Sequence, residues 1–233
     1  MIEIKALATG SKGNCYYVTD GQTPLLLEAG IPFKNIRKRL NFRTSDIQGV
    51  LITHEHQDHC KGINDVLKAG INVYMSAGTA GAIDIKHHRI KTVEAKKQFT
   101  IGSWTILPFD VQHDSSEPIG YLLMNQQREK LLFATDTYYI RYRFPDLTHI
   151  MVECNYSLAI LNENIAAGRV PKVMKKRLLR SHFSLENVKE FLKANDLSKV
   201  QEIWLLHLSD NNSDAQQFKQ EIMELTGKMV FVP

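Results

Sequence analysis

Four apolar, strand-like runs, far apart in the chain, each lead directly into a histidine or an aspartate. Gly49-Val50-Leu51-Ile52-Thr53 leads to His54, and the run from Trp104 to Gln112 leads to His113. Lys130–Thr135 leads to Asp136, and Glu202–Leu206 leads to His207. A hydrophobic run that stops at such a residue is what the edge of a sheet carrying an active site looks like. Five of the nine histidines (His54, His56, His59, His113 and His207) lie at these four endings, which chance explains poorly. The chain must therefore adopt a strand-rich fold in which remote segments converge.

The first ending is the richest, because residues 54–59 read His-Glu-His-Gln-Asp-His. A strand presents alternate residues to one face, which predicts that His54 and His56 point the same way as strand Val50–Thr53 ends. Asp58 and His59 follow where the chain turns into Lys61–Ala69. A single zinc needs three protein ligands and an open position. Four donors packed this tightly suggest two ions, and two ions suggest hydrolysis. An unmetallated polar core is the alternative, but so many buried carboxylates and imidazoles would each need a partner.

Length alone, 233 residues, allows one large domain or two small ones. Donors running from position 54 to 207 favour a single domain spanning 1–233. Folding at this size removes about 70–75% of the extended chain's surface from water. The hydrophobic content of 43% and charged content of 23% are ordinary for a soluble globule. The N-terminal alternation Met1–Leu7 reads as a strand, without the basic and apolar regions of a signal peptide. No apolar stretch approaches the roughly 18 residues of a membrane span. Cys15, Cys60 and Cys154 are too few and too scattered for a disulfide framework, so a cytoplasmic protein with reduced thiols is expected. Cys60 reads as a small buried residue at the start of a helix.

The net charge of +4 permits nucleic-acid binding without demonstrating it. Two basic runs add to this, Lys34–Leu40 and Lys172–Arg180. Val173, Leu178 and Leu179 interleave the second, as on the solvated face of an amphipathic helix. Its position just before His182 keeps a functional reading open.

Strands are expected at Ile2–Ala8, Tyr16–Val18, Leu25–Leu27, Val50–Thr53, Val73–Met75, Phe99–Ile101, Trp104–Val111, Ile119–Met124, Leu131–Thr135, Ile150–Glu153, Glu202–Leu206 and Lys228–Val232. Helices are expected after Pro32, over Lys61–Ala69 with Gly70 ending it, and over Thr79–Lys86. Others cover Ser157–Arg180, broken at Gly168 and Pro171, then Leu185–Ala194 capped by Ser184, and Ala215–Leu225.

The hexapeptide matches the HxHxDH signature of the metallo-β-lactamase fold, and His113, Asp136 and His207 match that family's later ligand motifs in order. Gly10-Ser11-Lys12-Gly13-Asn14, Ala134–Thr137, Val152–Asn155, Ser181–Ser184 and Leu206–Asn212 further resemble its YycJ/WalJ (VicX) branch, which is associated with nuclease-type phosphodiesterase activity. The resemblance covers roughly residues 1–225. It implies an α/β fold, the four-layer αββα sandwich. It implies a first metal on His54, His56 and His113, a second on Asp58, His59 and His207, and Asp136 bridging them. Imidazole and carboxylate ligands without cysteine suit Zn²⁺, with Mn²⁺ or Fe²⁺ as alternatives. Water between two such ions would yield hydroxide near neutral pH.

Family members that cleave β-lactams with zinc usually carry a cysteine where this chain has Asp136, and a bridged pair of ions suits phosphodiesters. His182 resembles the histidine that related phosphodiesterases, including ribonuclease Z, place near the leaving group, with Glu153 as its supporting acid. Asp58, His182 and Glu153 are thus the expected catalytic residues, Asp58 doubling as a ligand. Metal charge and the helix after Ser184 would lower the His182 pKa, and Glu153 would raise it.

Glu28 stands where the family commonly has an aspartate; it either orients a ligand or simply ends a strand. His87 and His88 read as solvated, and His149 as structural or supporting. Tyr138–Phe144 mixes aromatics with arginines, either to stack on bases and meet phosphates or to pack on the core. The expected function is a dinuclear-metal phosphodiesterase or nuclease, acting on DNA as an exonuclease or on RNA. A small-molecule hydrolase acting on a cyclic or short phosphodiester or a thioester, and a non-catalytic metal-binding module, stand as alternatives. Asp136 and His207 are only about seventy residues apart, too close for the inserted domain of the β-CASP nucleases. Nor is there the Gly/Pro-rich arm with which ribonuclease Z grips tRNA.

Overall fold

The alternating N-terminus forms β1 (Glu3–Ala8), in which exposed Glu3 and Lys5 alternate with half-buried Ile4 and Ala6 until the register shifts around buried Leu7. It pairs antiparallel with β2 (Cys15–Thr19), which pairs antiparallel with β3 (Leu25–Leu27). The computed structural model describes residues 1–233 and divides into two units. One holds residues 1–110 and 115–129, the other residues 111–114 and 130–233.

In the first unit the pairing becomes parallel after β3. Helix α1 (Phe33–Arg39) leads to β4 (Gly49–Leu51). Helices α2 (Gln57–Cys60) and α3 (Ile63–Lys68) lead to β5 (Val73–Met75), and α4 (Ala77–Ile83) leads to β6 (Ile90–Thr92). The six strands lie in sequence order in one sheet. Leu26, Val50 and Ile52 of the sheet region share a buried cluster with Ile36, Ile63 and Val66 of the helices. Each such side chain contributes about 1.5–3 kcal/mol by leaving water. Strands β7 (Phe99–Ile101), β8 (Trp104–Asp110) and β9 (Ile119–Met124) follow as an antiparallel meander. Thr23 ties to this meander by accepting hydrogen bonds from the Ser103 N–H and the Trp104 indole.

The second unit is a parallel array of β10 (Lys130–Ala134), β11 (His149–Glu153), β12 (Glu202–Leu206) and β13 (Met229–Phe231). Every residue of β11 is buried, as expected of a strand covered on both faces. Helices α5 (Leu158–Ala166), α6 (Lys172–Ser181) and α7 (Leu185–Lys193) lie between β11 and β12, and α8 (Ala215–Thr226) lies between β12 and β13. The break between α5 and α6 falls where Gly168 adopts φ +71° and Pro171 follows.

Several boundaries differ from those expected. Strand β4 stops at Leu51, so His54 and His56 sit beyond it: the Thr53 N–H is given to the Glu28 carboxylate instead of to a neighbouring strand. The helix expected over Lys61–Ala69 is α3, which starts only at Ile63 because the Gly62 N–H is diverted to the Ala29 carbonyl at 2.7 Å, and the short α2 precedes it. Helix α4 starts two residues earlier than expected, where the Ser76 hydroxyl accepts the Thr79 N–H. It ends at Asp84 in the left-handed conformation. Short, exposed β6 lacks the apolar alternation that reveals a strand, and only its parallel pairing with β5 makes it one.

Candidate metal-binding residues and their support

In parallel sheets, ligand-binding residues gather beyond the carboxyl ends of the strands. Glu28 immediately follows β3, and His54 follows β4 after Ile52 and Thr53. Glu28 leaves its strand with φ +67°, a conformation that costs a side-chain-bearing residue energy and is commonly kept where function requires it. Its carboxylate is wholly buried. The Thr53 hydroxyl donates to Glu28 Oε1 at 2.6 Å, and the Thr53 backbone N–H donates to Oε2 at 3.3 Å. The same hydroxyl lies 2.9 Å from His54 Nδ1. Since its proton is committed to Glu28, it accepts from Nδ1–H, which leaves the His54 Nε2 lone pair for a metal. His59 Nδ1 faces Glu28 at 3.4 Å, and His59 Nε2 faces Asp58 Oδ2 at 3.4 Å. One buried glutamate therefore orients two histidines, which decides in favour of the orienting role. Burial raises the Glu28 pKa above the ordinary carboxylate value, with His59 and Thr53 opposing.

The loops carrying these groups are joined through the main chain. The Asn14 N–H donates to the Asp58 carbonyl at 2.7 Å, Gly30 N–H to Asn14 O at 2.8 Å, and Ala29 N–H to His59 O at 2.8 Å. The approach is so close that a Cβ at Gly30 would lie 1.7 Å from Asp58 O.

The second unit's donors come from five segments. Asp136 follows β10 with φ +48°, and His207 follows β12 with φ +54°. Glu153 ends β11, between them in strand order. Its Oε1 lies 2.6 Å from His182 Nδ1 and 3.1 Å from His207 Nδ1, while Oε2 accepts the N–H groups of Thr137 and Phe183, both at 3.0 Å. Burial pushes the Glu153 pKa up, but the charge and hydrogen bonds of His182 and the bond from His207 bring it below the ordinary value. Burial lowers the His182 pKa, but the charge and hydrogen bond of Glu153 leave it raised overall. His113 Nδ1 donates to the Ser181 carbonyl at 2.8 Å, which turns Nε2 toward Asp136 Oδ2 at 3.7 Å. Burial depresses the pKa of His113, which favours the neutral ring a metal requires. His207 Nδ1 lies 3.4 Å from Asp136 Oδ1.

These arrangements fit divalent metal ions. His54 Nε2 and His56 Nδ1 are 3.0 Å apart, close to the separation of about 3.3 Å expected for two nitrogens on one tetrahedral zinc. Asp136, Glu153, His182 and His207 offer ligand atoms within 4.8 Å of one another. His54, His113 and His207 are tethered through Nδ1, as ligand histidines commonly are.

Two supporting residues escaped identification individually, although each lay in a motif of the resemblance. Asn14 Nδ2 sits 3.2 Å from His59 Nε2, and Asn155 Nδ2 donates to the His207 carbonyl at 2.8 Å. Of the remaining histidines, His87 and His88 stack on each other outside any helix, with ring centroids 4.5 Å apart. His149 is buried at the start of β11 against Thr148. The buried Cys60 thiol donates to Glu55 O, and burial pushes its pKa up to about 12, consistent with a structural thiol.

The sequence profile described as "Beta-lactamase superfamily domain" matches residues 25–207. The chain belongs to that superfamily, in its YycJ/WalJ branch, and is a hydrolase of the metallo-β-lactamase fold. It is 31% identical over 230 residues to exodeoxyribonuclease YycJ of Bacillus anthracis, covering 91% of this chain and 84% of the relative. It is 30% identical over 224 residues to exodeoxyribonuclease WalJ of Streptococcus pneumoniae, covering 89% and 81%. The fold is shared with the metallo-β-lactamase fold protein YhfI of Bacillus subtilis at 13% identity and a TM-score of 0.75, over 100% of this chain and 96% of that one. The α/β fold class expected from the motifs is the one observed. No helix is long and apolar enough to cross a membrane.

Proposed function

We propose that this chain is a two-metal phosphodiesterase that cleaves DNA as an exonuclease. The observation that carries this reading is the buried Glu153 carboxylate, which holds the catalytic candidate His182 and the ligand candidate His207 on one oxygen beside Asp136. The exodeoxyribonuclease names of the two relatives above, matched over more than four-fifths of their length, point the same way.

In this reading His54, His56 and His113 serve one ion and Asp58, His59 and His207 the other, with Asp136 shared. When bound, two Zn²⁺ ions (Mn²⁺ or Fe²⁺ suit the same donors) would acidify water and offset charge on the attacking and leaving oxygens. The protein's own part is positioning and proton delivery. Because Glu153 accepts from Nδ1–H, His182 has Nε2 available for substrate, and from there it donates a proton to the departing sugar oxygen. Lys172, Lys176 and Arg180, on the helix that ends at His182, supply charge for the flanking phosphates. A shared centre also makes residues 1–233 one domain, so heat should unfold the chain in a single calorimetric transition.

The test pairs metal analysis of protein purified without chelator with assays on labelled DNA, RNA and bis-(p-nitrophenyl) phosphate. Two ions per chain and DNA hydrolysis that falls about 10³-fold in Asp136→Ala are expected. Activity on the small ester alone, without salt-sensitive DNA binding, would replace the nuclease reading with a small-molecule hydrolase. Inertness of the fully loaded protein toward every ester class would leave a metal-binding module.

A further inference from the structure

Within the second unit, the segment 139–143 bridges over a pocket of about 370 Å³ whose opposite wall is α7. The bridge is anchored at both ends. Asn187 Nδ2 donates to the Tyr138 carbonyl at 3.1 Å, and Asn195 Oδ1 accepts the Phe144 N–H at 2.8 Å. Between these anchors the chain stands off the helix. Ile140, Phe183 and Phe191, all nearly buried, line the pocket's apolar interior. Tyr139, 55% exposed, and the exposed Arg141 and Arg143 form its rim. Glu190 also lines the pocket, but the Lys193 ammonium lies 2.9 Å from its carboxylate.

We infer that this pocket seats one unpaired nucleobase of a single-stranded DNA end, a reading that rests on the phosphodiesterase function proposed above and names its substrate form. An apolar interior beneath an aromatic and two guanidinium groups suits a flat, partly apolar group joined to phosphates. The volume lies in the range of small-ligand sites and accommodates one base with its sugar. Position supports the assignment. Tyr139 lies three residues after Asp136, so their Cα atoms are at most about 11 Å apart. Phe183 directly follows His182. The base held here therefore belongs to a nucleotide close to the scissile phosphate. A base inside a duplex would first have to be unstacked and unpaired at a cost that a single strand avoids.

The test uses oligonucleotides carrying the fluorescent base 2-aminopurine at successive positions from one end, titrated with the full-length protein in EDTA. Fluorescence is expected to be quenched by stacking at one or two adjacent positions near the end, and far less in a blunt duplex. Tyr139→Ala, which removes the platform, and Ala194→Trp, which fills the pocket from α7, should each abolish that quenching. With metal restored, an abasic site at the quenched position should raise KM about 5- to 100-fold relative to the intact strand. Quenching spread evenly along the strand, or surviving both substitutions, overturns the inference. Failure of the phosphodiesterase reading would look different: no phosphodiester would be hydrolysed by loaded wild-type protein, while position-specific quenching would persist and leave the pocket standing as a nucleobase site.

Discussion

Each unit sets a buried glutamate and an asparagine against its histidines, yet the two glutamates are held in opposite ways. Glu28 has one threonine and one histidine as partners, and burial wins, so its proton is held more tightly than usual. Glu153 faces two imidazoles, and against the charge and hydrogen bond of His182 and the bond from His207 burial loses. The charge a buried carboxylate carries thus depends on the groups that face it, not on depth alone. The donors also differ in origin. The first unit draws its four candidate ligands from one hexapeptide, the second from strand ends and a helix terminus far apart in sequence. The first set reads as metal-holding alone, whereas the second couples metal ligands to His182.

This contrast can be broken at its strongest point by His182→Ala, which should cut turnover about 10²-fold or more with metal content intact. Loss of an ion instead would make His182 a ligand and erase the division of labour. Exchanging the two glutamates for glutamine sharpens it further. Glu28→Gln should weaken metal affinity about 10- to 100-fold while the fully loaded enzyme keeps its kcat. Glu153→Gln should lower kcat at saturating metal, and the opposite assignment of the two phenotypes would reverse the comparison. Gly30→Ala probes the first unit's frame: a Cβ set against the Asp58 carbonyl should cost roughly 3 kcal/mol by chemical denaturation.

The smallest effect belongs to the surface. In the second unit the Lys199 ammonium lies 2.6 Å from Asp146, and its hydrogen bond and charge hold the Asp146 pKa below the ordinary value. That contribution is present above the unfolded pKa and lost as pH falls through the folded one. Asp146→Asn should therefore lower Tm slightly near pH 7, and the difference should vanish in acid.

The sequence revealed the seven candidate ligands and the broad order of elements because both are written locally, as apolar runs and as a dense motif. The fate of His54 and His56 was not legible from alternation, since Glu28, remote in sequence, captures the Thr53 N–H and ends the strand's pattern. The late start of α3 after Gly62 has the same kind of cause, a tertiary backbone bond to Ala29. Asn14 and Asn155 look like turn residues until the fold lays their amides against His59 and His207.

The stitching of residues 14, 29 and 30 to residues 58 and 59 runs mostly through peptide groups, with the Asn14 amide adding contacts to Asp58 and to the His59 ring. Peptide groups are blind to the side chains they carry, so most of this loop's shape does not depend on which donor atoms it displays. A cysteine in place of His56, which lies outside those side-chain contacts, is accordingly expected to leave the frame standing. Such a loop is a ready mounting for ions of other preferences, and its selectivity is open to change without refolding.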